Sequence, residues 1–393
     1  MKDQSKKRLA ILVSHPVQYY VPLYRRLARR KDLEVKVFFT WHSATAAVAD
    51  HGFKVPVAWD IPLTEGYEFE LIPNTSSDPG THHFFGLRNP SLVARILDWH
   101  PDAVHITGWA WFAHLFAMWA FHRRGIPTLF RGDSHLLDGP PGRIRAVLKK
   151  VILRRIFSWP AAFLYVGVAN KAYYANYGVD DARLCPCPHS IDVSRFAAPA
   201  IELEAEAMRW RRRLEIAEDQ TVLVFAGKFE RKKQPVKLMR TVLADGEPGL
   251  VLVMVGGGEL SDEVNALVAS YPDRFRVLPF QNQSLMPVVY RLGNIFVLPS
   301  AFGETWGLAV VEALACSRPV IVSDRVGCAA DVIDACSGRV FPWDDFSVLM
   351  RAVSEMTSDR QKEIDMRRAA SERAWLYDVE RTEAALVDCL RFS

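Results

Sequence analysis

IFVLPSAFGETWGLAVVEALA, residues 295–315, changes character twice. Ile295–Leu298 is an unbroken apolar run that Pro299 ends. A turn bounded by Gly303 and Gly307 follows, and Leu308–Ala315 then reads as a helix. Strand, glycine-flanked turn and helix, in that order, make one βα step of a parallel sheet. The same step recurs along the chain. Apolar strand runs fall at Thr221–Ala226, Leu250–Val255, Phe275–Leu278 and Pro319–Val322. In the first half they fall at Arg8–Ser14, Leu33–Phe39, Tyr67–Ile72, Ala103–Thr107, Pro127–Phe130 and Ala162–Val166. Most are continuous rather than alternating, as expected of strands covered on both faces. The expectation is an α/β chain of two facing, Rossmann-like, doubly wound domains.

The totals agree. A length of 393 residues suits two domains, or three at most. Half the residues are hydrophobic and about a quarter are charged, an ordinary balance for a globular chain. A formal charge of +4 does not call for a nucleic-acid partner. The six cysteines form no CxxC pair and read as reduced thiols of a cytoplasmic protein. The opening MKDQSKKRLAILVSH reads as no signal peptide. The uncharged stretch Ala103–Phe121 is broken by Gly108 and two histidines, so it reads as a strand, a turn and a Trp-rich core helix rather than a membrane span. Residues 195–219 carry no strand signal and mark a linker plus a helix. The expected domains are 1–195 and 196–370. A last amphipathic helix, Ala374–Phe392 within 371–393, is expected to cross back to the first domain.

Ligands of such sheets sit beyond the carboxyl ends of the strands. After Leu298, the start of the next helix offers backbone N–H groups and a helix dipole to an anion. Gly303 and Gly307 allow close approach. Glu304 lies in the turn and Glu312 two helical turns on, about 10 Å away at 1.5 Å per residue. That spacing can grip the two ends of an extended diphosphate ligand. It is too long for the ~5 Å carboxylate pair of a retaining glycosidase. The plainer readings are a helix cap for Glu304 and a solvated face for Glu312, but Glu312 is flanked by Val310, Val311, Ala313, Leu314 and Ala315. After the strand Thr221–Ala226 come Gly227, Lys228 and, past a short loop, Lys233, two cations able to neutralise a departing diphosphate. Gly256-Gly257-Gly258 follows another strand and is not a Walker motif.

At this point residues 299–324 resemble the E-x7-E signature of the retaining glycosyltransferases of family 4, which have the GT-B fold. Gly227–Lys233 resembles that family's glycine–basic–x4–lysine strip. Phe275–Gln281 is similar to its base-binding strand and loop, and His189-Ser190-Ile191-Asp192 to its Asn-Gly-Val-Asp motif. The resemblance implies a nucleoside-diphosphate-sugar donor, UDP- or GDP-linked, with no cofactor and no metal. It implies that Glu304 meets the transferred sugar and Glu312 the ribose. Lys228, Lys233 and backbone groups at Thr305, Trp306, Gly307 and Leu308 would hold the diphosphate, and Phe280 and Gln281 the base. The sequence departs from the family at Lys228 (usually Arg), at Ser317 and Cys328 (often Gly), and in the loop His15–Tyr20, which lacks paired glycines.

On the acceptor side, Asp133 follows the strand Pro127–Phe130 and is the candidate contact to the reacting sugar or acceptor, with Arg131 and His135 beside it. His15 and Gln18 follow the first strand. His105, within an apolar strand, reads as a satisfied core histidine. His82 and His83 stay undecided, and no set of histidines, with Cys185 and Cys187, has metal-ligand spacing. Residues 143–159 carry six basic and no acidic side chains among apolar ones. They read either as a helix lying on anionic lipid or as a core helix with a basic outer side. The expected function is glycosyl transfer to a saccharide or lipid-linked acceptor in envelope polysaccharide or glycolipid assembly, by a cytoplasmic protein or one peripheral to the membrane. A sugar-nucleotide epimerase of the same fold and a non-catalytic sugar-nucleotide binder are the alternatives.

Overall fold

The computed structural model describes residues 6–41, 48–50, 55–57, 59–139 and 142–391. Residues 1–5, the start of the stretch read as no signal peptide, lie outside the described residues. So does Phe392, the expected end of the last helix. The chain divides into two units. One comprises 1–48, 62–189 and 379–393; the other comprises 49–61 and 190–378. A single cut in the chain does not separate them, because the short segment 49–61 groups with the second unit.

The first unit holds β1 (Lys7–Val13), α1 (Val21–Ala28) and β2 (Leu33–Phe39). A two-stranded pair, β3 (Val48–Asp50) and β4 (Val55–Val57), follows in the chain. Then come β5 (Glu68–Leu71), α2 (Leu92–Asp98), β6 (Ala103–Thr107), α3 (Phe112–Arg123), β7 (Thr128–Arg131), α4 (Arg143–Ile156), β8 (Ala162–Tyr165), α5 (Val168–Asn176) and β9 (Leu184–Pro186). Seven of these strands form a parallel sheet in the order β5-β2-β1-β6-β7-β8-β9. Right-handed crossovers put α2 to α5 on one face, because β5, β6, β7 and β8 advance in one direction across the sheet; α1 runs the other way and takes the opposite face. The core agrees: Leu12, Val104, Ile106, Phe130 and Phe163 pack with Ile96, Met118, Phe121, Leu153 and Tyr174.

The second unit continues with α6 (Val193–Ala197), α7 (Ala200–Arg213), β10 (Thr221–Lys228), α8 (Pro235–Asp245), β11 (Leu250–Gly257), α9 (Ser261–Ser270), β12 (Phe275–Leu278), α10 (Met286–Arg291), β13 (Ile295–Leu298), α11 (Leu308–Ala315), β14 (Val320–Ser323), α12 (Ala329–Val332), β15 (Gly338–Phe341), α13 (Phe346–Thr357) and α14 (Arg360–Ala374). Its six strands are all parallel, in the order β12-β11-β10-β13-β14-β15. The chain winds outward one way from β10 and the other way from β13. The crevice at the ends of those two strands is the topological switch point where such sheets bind ligands.

Three features differ from the sequence reading. The last helix, α15 (Val379–Arg391), which groups with the first unit, begins at Val379 and not at the expected Ala374. A turn at Trp375–Tyr377 breaks the helix, because Tyr377 O accepts the Ile191 N–H at 3.2 Å and Asp378 accepts that of Val193 at 3.1 Å. Within the first unit α15 packs on α1 through Glu383, which takes Arg26 at 2.6 Å and Arg30 at 3.2 Å. The linker region holds two helices, the first capped by Asp192, which accepts the Arg195 N–H at 3.3 Å. The edge strands β9 and β15 were not anticipated, since neither is an apolar run. Among the described residues no helix is long and apolar enough to cross a membrane. Ala103–Phe121 resolves into β6, a turn and most of α3.

Candidate active site

Two loops meet at the switch point of the second unit. Lys228, half-buried, ends β10 and the loop after it carries Lys233; the loop after β13 carries Glu304. Lys233 Nζ donates to Glu304 Oε2 at 2.5 Å, with the two side chains only 16% and 17% exposed. Ser300 Oγ donates to the same oxygen at 3.2 Å, and Ser300 is fully buried. The backbones are stitched as well. Ala301 N–H donates to Lys232 O at 2.7 Å, and the Gln234 amide donates to Pro299 O at 2.8 Å and to Trp343 O at 3.0 Å. The Lys233 chain runs over Gly227, where a Cβ would lie 3.4 Å from Lys233 Cδ.

The turn between β13 and α11 is shaped by two glycines. Gly307 caps the helix with φ +96°, and a Cβ there would stand 2.9 Å from Val326 Cγ1. Gly327 N–H donates to Glu304 O at 2.9 Å, and a Cβ on Gly327 would lie 1.9 Å from Thr305 O. The backbone at Glu304–Trp306 is thereby held against 326–328, with Cys328 N–H donating to Trp306 O at 3.0 Å. Gly303 is exposed, Thr305 and Leu308 are half-buried, and the Trp306 ring is buried 6.2 Å from that of Tyr377. At the far end of α11, Ser317 has φ +57°, in the left-handed region that favours glycine.

Glu312 is not on a solvated face. It is 1% exposed, and Tyr290 on α10 donates its hydroxyl to Glu312 Oε2 at 2.5 Å. A buried carboxylate needs such a donor, and nothing in the sequence singled out Tyr290. Phe280 and Gln281 follow β12. The Gln281 amide donates to Pro279 O at 3.0 Å, while Phe280 stands edge-on to Trp59, centroids 6.3 Å apart. Asp60, next to Trp59, accepts the Ser284 N–H at 3.2 Å. Thus a segment early in the sequence covers the loop after β12, which periodicity could not reveal.

The acceptor-side candidates belong to the first unit. His15 and Gln18 follow β1, next to the switch between β1 and β6. His15 Nδ1 lies 3.0 Å from Ser14 Oγ, its ring packs edge-on against Trp41, and burial lowers its pKa. Asp133 is half-buried just past β7. The turn before it is fixed by Tyr174, whose hydroxyl accepts the Gly132 N–H at 2.9 Å and donates to Gly132 O at 2.8 Å. Asn170 donates to Ser134 O at 2.7 Å. His135 Nδ1 accepts the Leu137 N–H at 3.2 Å. Arg131 is buried. Its guanidinium lies 3.2 Å from each of Cys187 Sγ, Pro188 O and His189 Nδ1, so it ties β7 to the end of this unit. His105 is in the core as expected, but it is not satisfied. Neither ring nitrogen has a hydrogen-bond partner, and burial pushes its pKa down to about 3. Burial favours the neutral imidazole, because a surrounding of low polarity penalises the charged form.

Residues 207–374 match the family model of glycosyl transferases group 1, and residues 67–189 that of the glycosyl transferase 4-like domain. The chain is 27% identical to D-inositol 3-phosphate glycosyltransferase of Salinispora tropica over 225 residues, 54% of this chain and 46% of that protein. It therefore spans about half the length of that relative. It is 24% identical, across 92% of its own length and 91% of the other's, to N,N'-diacetylbacillosaminyl-diphospho-undecaprenol alpha-1,3-N-acetylgalactosaminyltransferase of Campylobacter jejuni. Its fold is similar to that of Anabaena HepE in complex with UDP and glucose, with a TM-score of 0.72 at 16% identity over 98% of this chain and all of that one. With two glycosyltransferase models matched in succession and this architecture, the chain belongs to the GT-B glycosyltransferases of family 4.

Proposed function

We propose that the protein transfers a sugar, with retention, from a nucleoside-diphosphate-sugar donor to a saccharide or lipid-linked acceptor. The observation that carries this is the Lys233–Glu304 pair at the β10/β13 switch point. Lys233 and Lys228 neutralise the departing diphosphate, and backbone groups from Thr305 to Leu308 receive it at the start of α11. Donor binding then transfers Lys233 from Glu304 to phosphate, which leaves the Glu304 carboxylate to grip the sugar. Glu312, held by Tyr290, takes the ribose, and Phe280 and Gln281 flank the base. Asp133 serves the acceptor, with His15, Gln18 and His135 around it. Positive side chains do the charge balancing of the transfer step without a metal ion. UDP- and GDP-sugars are the proposed donors.

A membrane-facing acceptor is supported by α4. Ile144 is 86% exposed, and Val147, Leu148, Val151 and Ile152 are exposed with it, while Leu153 and Ile156 face the core. Lys150, Arg154 and Arg155 rise from the same helix. On α3, which shares that face of the sheet, Phe112, Phe116 and Trp119 are also exposed. Apolar side chains in water beside a basic stripe suit the interface of an anionic bilayer. The Campylobacter relative's name places its acceptor on a diphospho-undecaprenol, and envelope glycan or glycolipid assembly is the corresponding role here.

The test is a panel of UDP-, GDP-, TDP- and ADP-sugars, scored for free nucleoside diphosphate and for product, with and without acceptor. Acceptor-dependent release is the expected result. A changed sugar without release would make the protein an epimerase, and binding without either would make it a sugar-nucleotide binder. Co-sedimentation with vesicles containing anionic lipid, but not with neutral ones, is expected of α4. Equal partition to the supernatant in both would remove the membrane contact.

A further inference from the structure

A second cluster of chemistry-bearing side chains lies in the first unit, in the loop between β5 and α2. Asp78 Oδ2 stands 3.0 Å from His82 Nε2 and 3.3 Å from His83 Nε2. One atom from each residue falls within 4.8 Å of the others. The two imidazoles are stacked edge to face, centroids 4.7 Å apart, so both present a nitrogen to the same carboxylate oxygen. The spacing Asp-x3-His-His resembles no common metal motif, which is why the sequence left these histidines undecided.

The loop is held in shape from outside the cluster. Asn74 Oδ1 accepts the N–H groups of Ser76 and Arg88 at 3.0 Å each, and its amide donates to Gly86 O at 2.8 Å, closing the neck of the loop. Ser76 Oγ donates to Phe85 O at 2.8 Å, Gly80 N–H to Gly86 O at 3.1 Å, and Trp111 Nε1 to Thr81 O at 3.1 Å. Gly86 lies so close to Gly80 that a Cβ would stand 2.2 Å from Gly80 O. None of these bonds uses the Asp78, His82 or His83 side chains; an ion would displace only the contacts within the cluster, including that of His83 Nε2 with Asp78 O at 2.9 Å, so the two rings and the carboxylate can turn onto it while the loop keeps its shape.

We propose that Asp78, His82 and His83 form a binding site for a divalent cation of the late first transition row, with Zn2+ the reference ion. Nitrogen and carboxylate ligands bind Zn2+ at about 2.0–2.2 Å. An ion at such distances needs its ligand atoms about 3 to 3.5 Å apart, close to the 3.0 and 3.3 Å seen here. Two imidazoles select Zn2+, Ni2+ or Cu2+ over Mg2+ and Ca2+, which take oxygen ligands. The set lies at the surface, with side-chain exposures of 69% for Asp78, 54% for His82 and 37% for His83. Three protein ligands leave the remaining positions to water or to an anionic oxygen. None of these three residues has a part in the transfer chemistry proposed above.

Titration calorimetry of the full chain, without a polyhistidine tag, with Zn2+, Ni2+, Mg2+ and Ca2+ tests this. One Zn2+ or Ni2+ per chain is expected, with no heat from Mg2+ or Ca2+. H82N, H83N and D78N should each weaken Zn2+ binding at least about tenfold, with the far-ultraviolet circular dichroism unchanged. X-ray absorption at the zinc edge should show nitrogen and oxygen neighbours without sulfur. No Zn2+ uptake by the wild-type chain would overturn the proposal. So would wild-type affinity in folded D78N and H82N, or a sulfur-ligated ion.

Discussion

Lys233 and Glu304 are 71 residues apart in sequence and 2.5 Å apart in space. Each belongs to a loop that leaves one of the two central strands of the second sheet, and the pair closes the gap between them. In the proposed reaction the lysine has a second partner, the diphosphate. Lys233→Ala is therefore expected to lower kcat/KM for the donor by about 100-fold or more, while Lys233→Arg, which keeps the charge, restores part of it. Steady-state kinetics with a saturating acceptor read both. Wild-type kcat/KM in the alanine variant would remove Lys233 from the donor site.

Glu304→Gln keeps the shape and the Ser300 hydrogen bond but loses the charge. Turnover should fall by at least about 100-fold, with the melting temperature within a few degrees of wild type, because Glu304 is only partly buried. Full activity in this variant would refute the assignment of Glu304.

Tyr290→Phe deletes the hydroxyl that serves a carboxylate 1% exposed. The expected loss of stability is about 1–3 kcal/mol, read by urea denaturation, and the KM for the donor should rise because Glu312 loses its orientation. A variant as stable as wild type would mean that Glu312 is satisfied without Tyr290.

Gly327→Ala would place a methyl 1.9 Å from Thr305 O, so the turn holding Glu304 must shift. Stability should fall by about 1–3 kcal/mol, and donor affinity should fall with it. The control is Gly142→Ala, where nothing lies within 4 Å of the added carbon; it should change neither.

Two buried histidines set an acid limit. His105 and His114 have pKa values pushed by burial from 6.5 down to about 3 and about 4. Between those values and 6.5 the unfolded chain binds protons that the native chain does not. Stability is therefore full above pH 6.5 and is lost as pH falls, by up to about 1.4 kcal/mol per pH unit for each histidine. His105→Leu should remove one proton from the slope of stability between pH 6 and pH 4. An unchanged slope would show that His105 is not the buried neutral group.

The sheets were legible because β1, β6, β10, β11, β13 and β14 are mostly apolar runs between breakers, and a strand covered on both faces leaves that trace. The edge strands β9 and β15 were not, since LCP and GRVF carry no such run. In the site, Glu304, Lys228 and Lys233 could be named because they follow strands at glycine-marked turns. Tyr290, Asn170 and Tyr174 could not. They act from helices at long sequence separation, and each looks like an ordinary helical residue until the fold brings it to its partner. Trp59 and Asp60 were hidden for the same reason, lying more than 200 residues from the loop they touch.

In the proposed reaction a nucleoside diphosphate is held at the β10/β13 switch point. Crystals of the protein soaked with UDP and, separately, with GDP test it most directly. Electron density is expected for at least one of them, with the β-phosphate within hydrogen-bond reach of Lys233 Nζ, the Lys233–Glu304 pair opened, and the ribose toward Glu312. A nucleotide bound away from these residues, with Lys233 still on Glu304, would contradict it.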